Sequence, residues 1–334
     1  FDWASRLIRY KDLIPCRQAF IDTRTPGSDK KENFCLIGPG VAENPLQHVH
    51  IAIAHGFNIG GARQPPGCKN SHHSHDTEEV FVVHEGRWQF TWGVNGEDGS
   101  AVLEAGDTIS IPMKVFRGFE NVGDDDGFLF AVLGGDDPGH VTWAPYVFHD
   151  AKSYGLVLLQ DGRLIDTAAG EPIPAPDGTP EHVLTQDEVR QFRRMSAEEM
   201  ADCVLRNGEL AFHDDSALGQ LPGVCEAAVL GPDSPAEQLG AGKMAWRHGF
   251  HARRLRLDAG AAVPPHTRFE EEVIFVHRGS LTIGIGAESR TLGPGDLFTT
   301  PIGVSRRLEN GADELCDLIV VRGGDAPAAP QWDA

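Results

Sequence analysis

The residues best equipped for chemistry lie in one short run, Gly67-Cys68-Lys69-Asn70-Ser71-His72-His73-Ser74-His75-Asp76-Thr77-Glu78-Glu79. His73, His75 and Glu79 share one parity. On a strand, whose side chains alternate between faces, they point the same way. Two imidazole nitrogens and one carboxylate oxygen meeting at a point suit a borderline divalent cation such as Fe(II), Mn, Ni or Zn. A His-rich surface loop is the bland alternative, and the regular spacing between Gly67 and Gly86 favours the ligand strand. His72 has the opposite parity and is expected to face away.

The same spacing resembles the first signature of the cupin superfamily, G-x5-H-x-H-x3-E-x6-G, which Gly67, His73, His75, Glu79 and Gly86 fill. Gly106, Pro112 and Asn121 match the second signature, G-x5-P-x-G-x2-H-x3-N, with Lys114 in place of its glycine. Arg117 stands where the family carries its usual fourth ligand, a histidine. The pattern recurs downstream. Gly260, His266, Glu272 and Gly279 repeat the first signature with Arg268 at the second histidine. Gly295, Pro301, Gly303 and Asn310 repeat the second, with Arg306 again replacing histidine. Local identities accompany the repeat: Glu78-Glu79-Val80 against Glu271-Glu272-Val273, and His55-Gly56-Phe57 against His248-Gly249-Phe250. A repeat this long means two copies of one domain. The chain is identified as a bicupin, which implies an all-β fold of two tandem double-stranded jelly-roll barrels with a short helical connector.

The elements that must position these residues are legible as short β-branched and aromatic runs at 47–63, 79–84, 87–93, 108–112 and 128–133. They recur at 245–257, 272–277, 280–285, 297–300 and 316–322. The expected organisation is an N-terminal, metal-bearing barrel over 1–165, a proline-rich linker with two short helices over 166–207, and a degenerate C-terminal barrel over 208–334. Capping-box patterns at Thr185-Gln-Asp-Glu188 and Ser196-Ala-Glu-Glu199 open the two helices. The tail from Gly323 is expected to be mobile. Trp88, Phe90 and Trp92 alternate on one strand face and read as a core stripe or a barrel contact. His84 and His277 read as structural.

At 334 residues, with 40% hydrophobic and 23% charged residues, the chain fits an ordinary globular protein of two domains. A formal charge of −20 argues against nucleic acid and anionic membranes as partners. No apolar run reaches membrane-spanning length, and no signal peptide is visible at the start, so a cytoplasmic location is the expectation. The cupin resemblance implies a homodimer joined through barrel edges. The six scattered cysteines, Cys68 among them, read as reduced thiols.

For function, the resemblance points to a metal-dependent oxygenase acting in the first barrel on a small hydroxy-aromatic or enolic acid, like the gentisate, hydroxynaphthoate and quercetin dioxygenases. Fe(II) is the expected metal. Arg117 would grip a substrate carboxylate or enolate, or else pair with Glu79 and leave the metal site dead, and His55 is either architectural or a substrate contact. Alternatives are an isomerase, cyclase or lyase without O2, and a small-molecule-binding bicupin without turnover. In the second copy His266 and Glu272 stand with two guanidiniums, Arg268 and Arg306, which repel a divalent cation; a structural ion pair from Glu272 to Arg268 or Arg306 is favoured, with an anion pocket as the second reading.

Overall fold

The computed structural model describes residues 1–333. Two jelly-roll units account for nearly all of the chain. One is built from Ile14–Ala52 and Asn58–Val204; the other joins Phe1–Leu13 and Ile53–Phe57 to the chain from Leu205 onward. The chain start therefore belongs with the second barrel, not with the 1–165 domain that the repeat spacing implies. Its strand Leu7–Ile8 pairs with Leu297–Thr300, and Trp3 is buried in that unit's core beside Phe298.

In the first unit a larger sheet runs Thr108–Ile111, Glu79–Glu85, Gly127–Gly134, Phe57–Gln64, Glu32–Ile37, Val49–Ile51. A five-stranded sheet runs Thr142–Trp143, Lys69–Ser74, Arg117–Asn121, Arg87–Trp92, Gly99–Glu104. Trp88, Phe90 and Trp92 are the expected core stripe, all buried, with Phe119 packed on Trp88 and Phe90. The run expected at 47–63 is two strands. Gly56 takes a φ of +79° between them, a turn conformation that costs glycine nothing.

The stretch expected as a linker is folded onto the first unit. Leu164–Asp166 pairs with Leu156–Leu158, the Arg193 amide donates to the Lys114 carbonyl, and Trp92 Nε1 donates to the Met195 carbonyl at 3.0 Å. Both capping boxes form, opening the one-turn helices Gln186–Val189 and Ala197–Ala201. A longer helix, Pro145–Ser153, carries none of the spacing signals noted above and starts on proline at its first turn.

In the second unit the larger sheet runs Leu7–Ile8, Leu297–Thr300, Glu272–Arg278, Cys316–Gly323, Phe250–Leu257, Val224–Leu230. Its partner runs Glu288–Leu292, Leu281–Ile285, Arg306–Glu309, Ala262–Thr267, Gln331–Trp332. The tail expected to be mobile supplies that last strand, with Trp332 opposite His266 and Gln331 opposite Thr267. No helix among the described residues is long and apolar enough to cross a membrane.

Candidate metal centre

His73, His75 and Glu79 converge. Their ligand atoms lie within 4.8 Å of one another, and all three residues are buried. The strand Lys69–Ser74 brings His73, the turn after it brings His75, and Glu79 opens the strand Glu79–Glu85 in the opposite sheet. The two imidazoles stand edge to face, 5.1 Å between ring centres.

The surroundings orient the donors. His73 Nδ1 lies 2.8 Å from the Ser71 carbonyl and donates to it, so Nε2 keeps the lone pair a metal needs. The Ser71 amide in turn donates to Asp22. Lys31 holds Asp22 and also donates to Asn70 Oδ1 at 2.7 Å. Burial, reinforced by the Arg117 charge, keeps both imidazoles well below their ordinary pKa and therefore neutral, the form that ligates. His75 Nδ1 is a buried polar atom with no protein partner.

Arg117 stands opposite His73 in the ladder and pairs through Nη2 with Glu79 Oε2. That oxygen is 3.5 Å from His75 Nε2. Nη1 reaches the His73 carbonyl at 3.3 Å. Of the two partners expected for Arg117, Glu79 is the one this structure shows: a buried guanidinium requires an anion, and Glu79 is the anion at hand. Burial raises the Glu79 pKa, and Arg117 opposes that rise. No described residue donates to Glu79 Oε1, which remains for a cation. The donor set fits a divalent metal.

These donors line a cavity of about 80 Å³ with Phe34, Phe81, Phe119, Trp143 and Gly60 among its walls. Neither Arg117 nor His55 lines it. His55 is instead architectural: its Nδ1 hydrogen-bonds the Ile53 carbonyl at 2.6 Å, as His248 does to Trp246, and Nε2 lies 3.7 Å from Glu271. A cleft of about 650 Å³ shares Gly40, Val41, Ala42, Gln47 and Val141 with the small cavity. A larger hollow of about 910 Å³, lined by Arg17, Arg24 and Arg163, includes none of the three donors. His72 faces away as expected, bonded to Tyr146 Oη and Thr91 Oγ1.

In the second unit the corresponding positions hold a charge network. Arg306 stands opposite His266 as Arg117 does opposite His73. Glu272 accepts from Arg322 Nε at 2.7 Å, with Arg306 Nε at 3.3 Å and Arg268 Nε at 3.8 Å. Glu237, from the turn Pro235–Glu237, accepts from Arg268 and Arg322, each at 2.8 Å. Arg253 Nη2 is 3.6 Å from the same carboxylate. Sequence reading found His266, Arg268, Glu272 and Arg306 but missed Glu237, Arg253 and Arg322. Arg322 had a signal, since it ends the otherwise apolar run Leu318-Ile-Val-Val; Glu237 lies in a loop and had none.

Comparison with known proteins matches the cupin domain model at residues 62–133 and 253–322. Polyketide synthase CurC of Streptomyces cyaneus is 36% identical over 164 residues, which span 47% of this chain and 91% of that protein. Among solved structures, a Bacillus subtilis oxalate decarboxylase studied for its Mn(II) centres superposes with a TM-score of 0.56 at 14% identity, covering 96% of this chain and 77% of that one. AerE of Microcystis aeruginosa superposes at 0.52 with 15% identity, covering 96% and 99%. With both signatures seated in two jelly-roll units, this chain belongs to the cupin family and carries the cupin domain twice.

Proposed function

We propose that the unit bearing His73, His75 and Glu79 is a divalent-metal oxygenase site for a small enolic or phenolic acid. The observation that carries this reading is the convergence of three buried donors, with Arg117 where a fourth ligand would close the coordination shell. Three protein donors leave positions open for a chelating substrate and for O2. When bound, Fe(II) or Mn(II) would supply electron density to oxygen and hold the substrate's oxygens.

The chain's own residues set the rest. Arg117 cancels the Glu79 charge, so with neutral imidazoles the protein offers a divalent ion no net negative charge. An anionic, oxygen-chelating substrate makes up that balance. The walls Phe34, Phe81, Phe119 and Trp143 exclude water and suit a flat, conjugated ligand. Apart from the donors themselves, the one titratable group lining the cavity is Cys35, whose thiol burial pushes up to about 12. A separate acid or base is therefore missing from the small cavity itself; in the adjoining cleft Glu43, raised to about 7 by burial, is the candidate for isomerase or lyase chemistry that shuttles a proton.

At about 80 Å³ the cavity is well below the roughly 300–1,000 Å³ of ordinary ligand sites. It admits the reacting end of a substrate, and the adjoining cleft of about 650 Å³ has room for a larger body. The likeness to a polyketide synthase supports this, because 1,3-dicarbonyl units enolise readily.

The test is anaerobic loading with Fe(II) or Mn(II), elemental analysis, then oxygen uptake on a panel of phenolic acids and enolised 1,3-diketones. Metal-dependent oxygen uptake matched to product is expected. Product formed without oxygen uptake would move the site to Lewis-acid chemistry; saturable binding without product would make it a receptor. A homodimer belongs to the same proposal and is checked by light scattering.

A further inference from the structure

We propose that the second barrel is an anion receptor, in which the place equivalent to the metal centre holds a carboxylate-sized anion between Arg253, Arg268 and Arg306. The equivalence is structural. Arg306 stands opposite His266 as Arg117 stands opposite His73. Arg322 stands opposite Glu272 as Leu133 stands opposite Glu79. Arg268 holds the sequence position of His75, and Arg253 holds that of the cavity-lining Gly60. Where the first barrel presents donors for a cation, the second presents donors for an anion.

Two independent observations call for a ligand. The first is charge. Arg253, Arg268, Arg306 and Arg322 are all almost fully buried, and the carboxylates that touch them are Glu237 and Glu272. Further acids act on the cluster without touching it: Glu226, bonded to Ser216, on Arg253, Arg268 and Arg322, and Glu270 and Glu271 on Arg306. Four guanidiniums thus touch only two carboxylates, the other acids offset the excess only from beyond contact, and buried charge without a contacting partner is expensive. The second is hydrogen bonding. Nη2 of Arg268 and Arg306 and Nε of Arg253 and Arg268 are buried without a hydrogen-bond partner, as is Nε2 of His251. Arg306 Nε and Arg253 Nη2 have only ion contacts, at 3.3 Å to Glu272 Oε1 and 3.6 Å to Glu237. Glu272 Oε1 and Glu270 Oε2 are acceptors without a hydrogen-bond partner. Buried donors in native proteins are almost all satisfied, and so many in one cluster point to a missing acceptor. Water would satisfy donors but not neutralise charge. An anion does both, and guanidinium forks match a carboxylate. Because these arginines are sealed from solvent, only a small anion fits.

The experiment titrates the full-length protein with sodium acetate at constant ionic strength, set by a bulky buffer anion, and follows melting temperature and binding heat. A saturable rise of about 5 °C is expected, with matched citrate, too large for the site, giving no saturable response. Arg306→Gln and Arg253→Gln, checked for folding by circular dichroism, should abolish the rise. The double variant His73→Ala/His75→Ala should keep it, separating this site from the first barrel. The proposal is overturned if wild-type protein shows no saturable response to acetate, if citrate matches it, if folded arginine variants respond unchanged, or if the histidine pair abolishes it. Should both arginine variants fail to fold, the wild-type and double-histidine titrations still decide.

Discussion

Arg117 is the ladder partner of His73, yet it commits its guanidinium to Glu79 on the opposite sheet. One arginine thus ties the two sheets together through the carboxylate that would serve a metal. It stands in for the cation on one face of the site while leaving Glu79 Oε1 for the other. Stability of the metal-free protein and affinity for metal are coupled through this pair.

Replacing Arg117 with methionine should therefore destabilise the metal-free protein by about 3–5 kcal/mol, because the Glu79 carboxylate stays buried without its cation. Added Mn(II) should recover much of that loss, since the ion takes over the charge. Urea unfolding with and without metal checks both halves. An unchanged midpoint in metal-free protein would show that the pair does not hold the site.

Asn70 tests the groups that orient the donors. It accepts from Lys31 and its Nδ2 lies 3.3 Å from His73 Nδ1. Asn70→Ala removes no ligand but loosens the ring and leaves the buried Lys31 ammonium with fewer acceptors. Metal affinity, measured by competition with a chelator, should weaken about 10–100-fold. Retained affinity would mean that the Ser71 carbonyl alone fixes the imidazole.

Gly60 tests the cavity. A Cβ built there meets only the Phe34 carbonyl oxygen, at 3.4 Å, so a side chain has space. Gly60→Val should fill part of the cavity of about 80 Å³. Metal content should stay the same while kcat/KM falls at least tenfold. Equal turnover at equal metal content would place the substrate elsewhere.

Stability should fall on acidification below neutrality. Eight imidazoles have lowered pKa values, chiefly through burial: His50, His72, His73, His75, His182, His251, His266 and His277. For His72, His266 and His277 the value is about 4. Below the unfolded value of about 6.5 the unfolded chain binds protons that the folded chain refuses, so stability rises with pH in that window. Glu43, raised to about 7 by burial, and Glu79 and Glu226, also raised, act in the opposite sense but are fewer. Each imidazole kept neutral, His73 and His75 foremost, contributes a slope of about 1.4 kcal/mol per pH unit. Urea unfolding at pH 7.5 and 5.5 should show the lower stability at 5.5; the reverse order would mean that the carboxyls dominate.

What was legible in the sequence is what depends on local period. Spacing singled out His73, His75 and Glu79, although they converge from a strand, the turn after it and the opposite sheet and not from one strand face. The signature spacing singled out Arg117 and Arg306. The capping boxes at Thr185 and Ser196 form as their spacing implies. What was not legible depends on distant partners. Asp22 and Lys31 reach His73 through Ser71 and Asn70, and Glu43 accepts from Trp143 Nε1 at 2.5 Å across a long stretch of chain. Glu237 enters the second barrel from a loop. No periodicity encodes such meetings. The same holds for the chain start, whose short strand gives no hint of which barrel it completes.

That start supplies the last prediction. Trp3 is 6% exposed and lies 5.1 Å, ring to ring, from Phe298. Arg9 donates to Asp296 Oδ2 at 2.7 Å, and the Tyr10 amide donates to its other oxygen. Arg6 pairs with Glu271 at 2.7 Å. These contacts seal one edge of the strand Leu297–Thr300 and bury the Trp3 indole against Phe298, with Phe1 edge-on to it at 5.3 Å. Trp3→Ala should cost about 3–5 kcal/mol through lost burial and the cavity left behind. Since residues 1–13 belong with the second unit, the loss should appear there first. Hydrogen exchange should deprotect Glu272–Arg278 and Leu297–Thr300 while Glu79–Glu85 keeps its protection. Equal loss in both strands of the repeat would show that the chain start stabilises the whole molecule and not the second barrel.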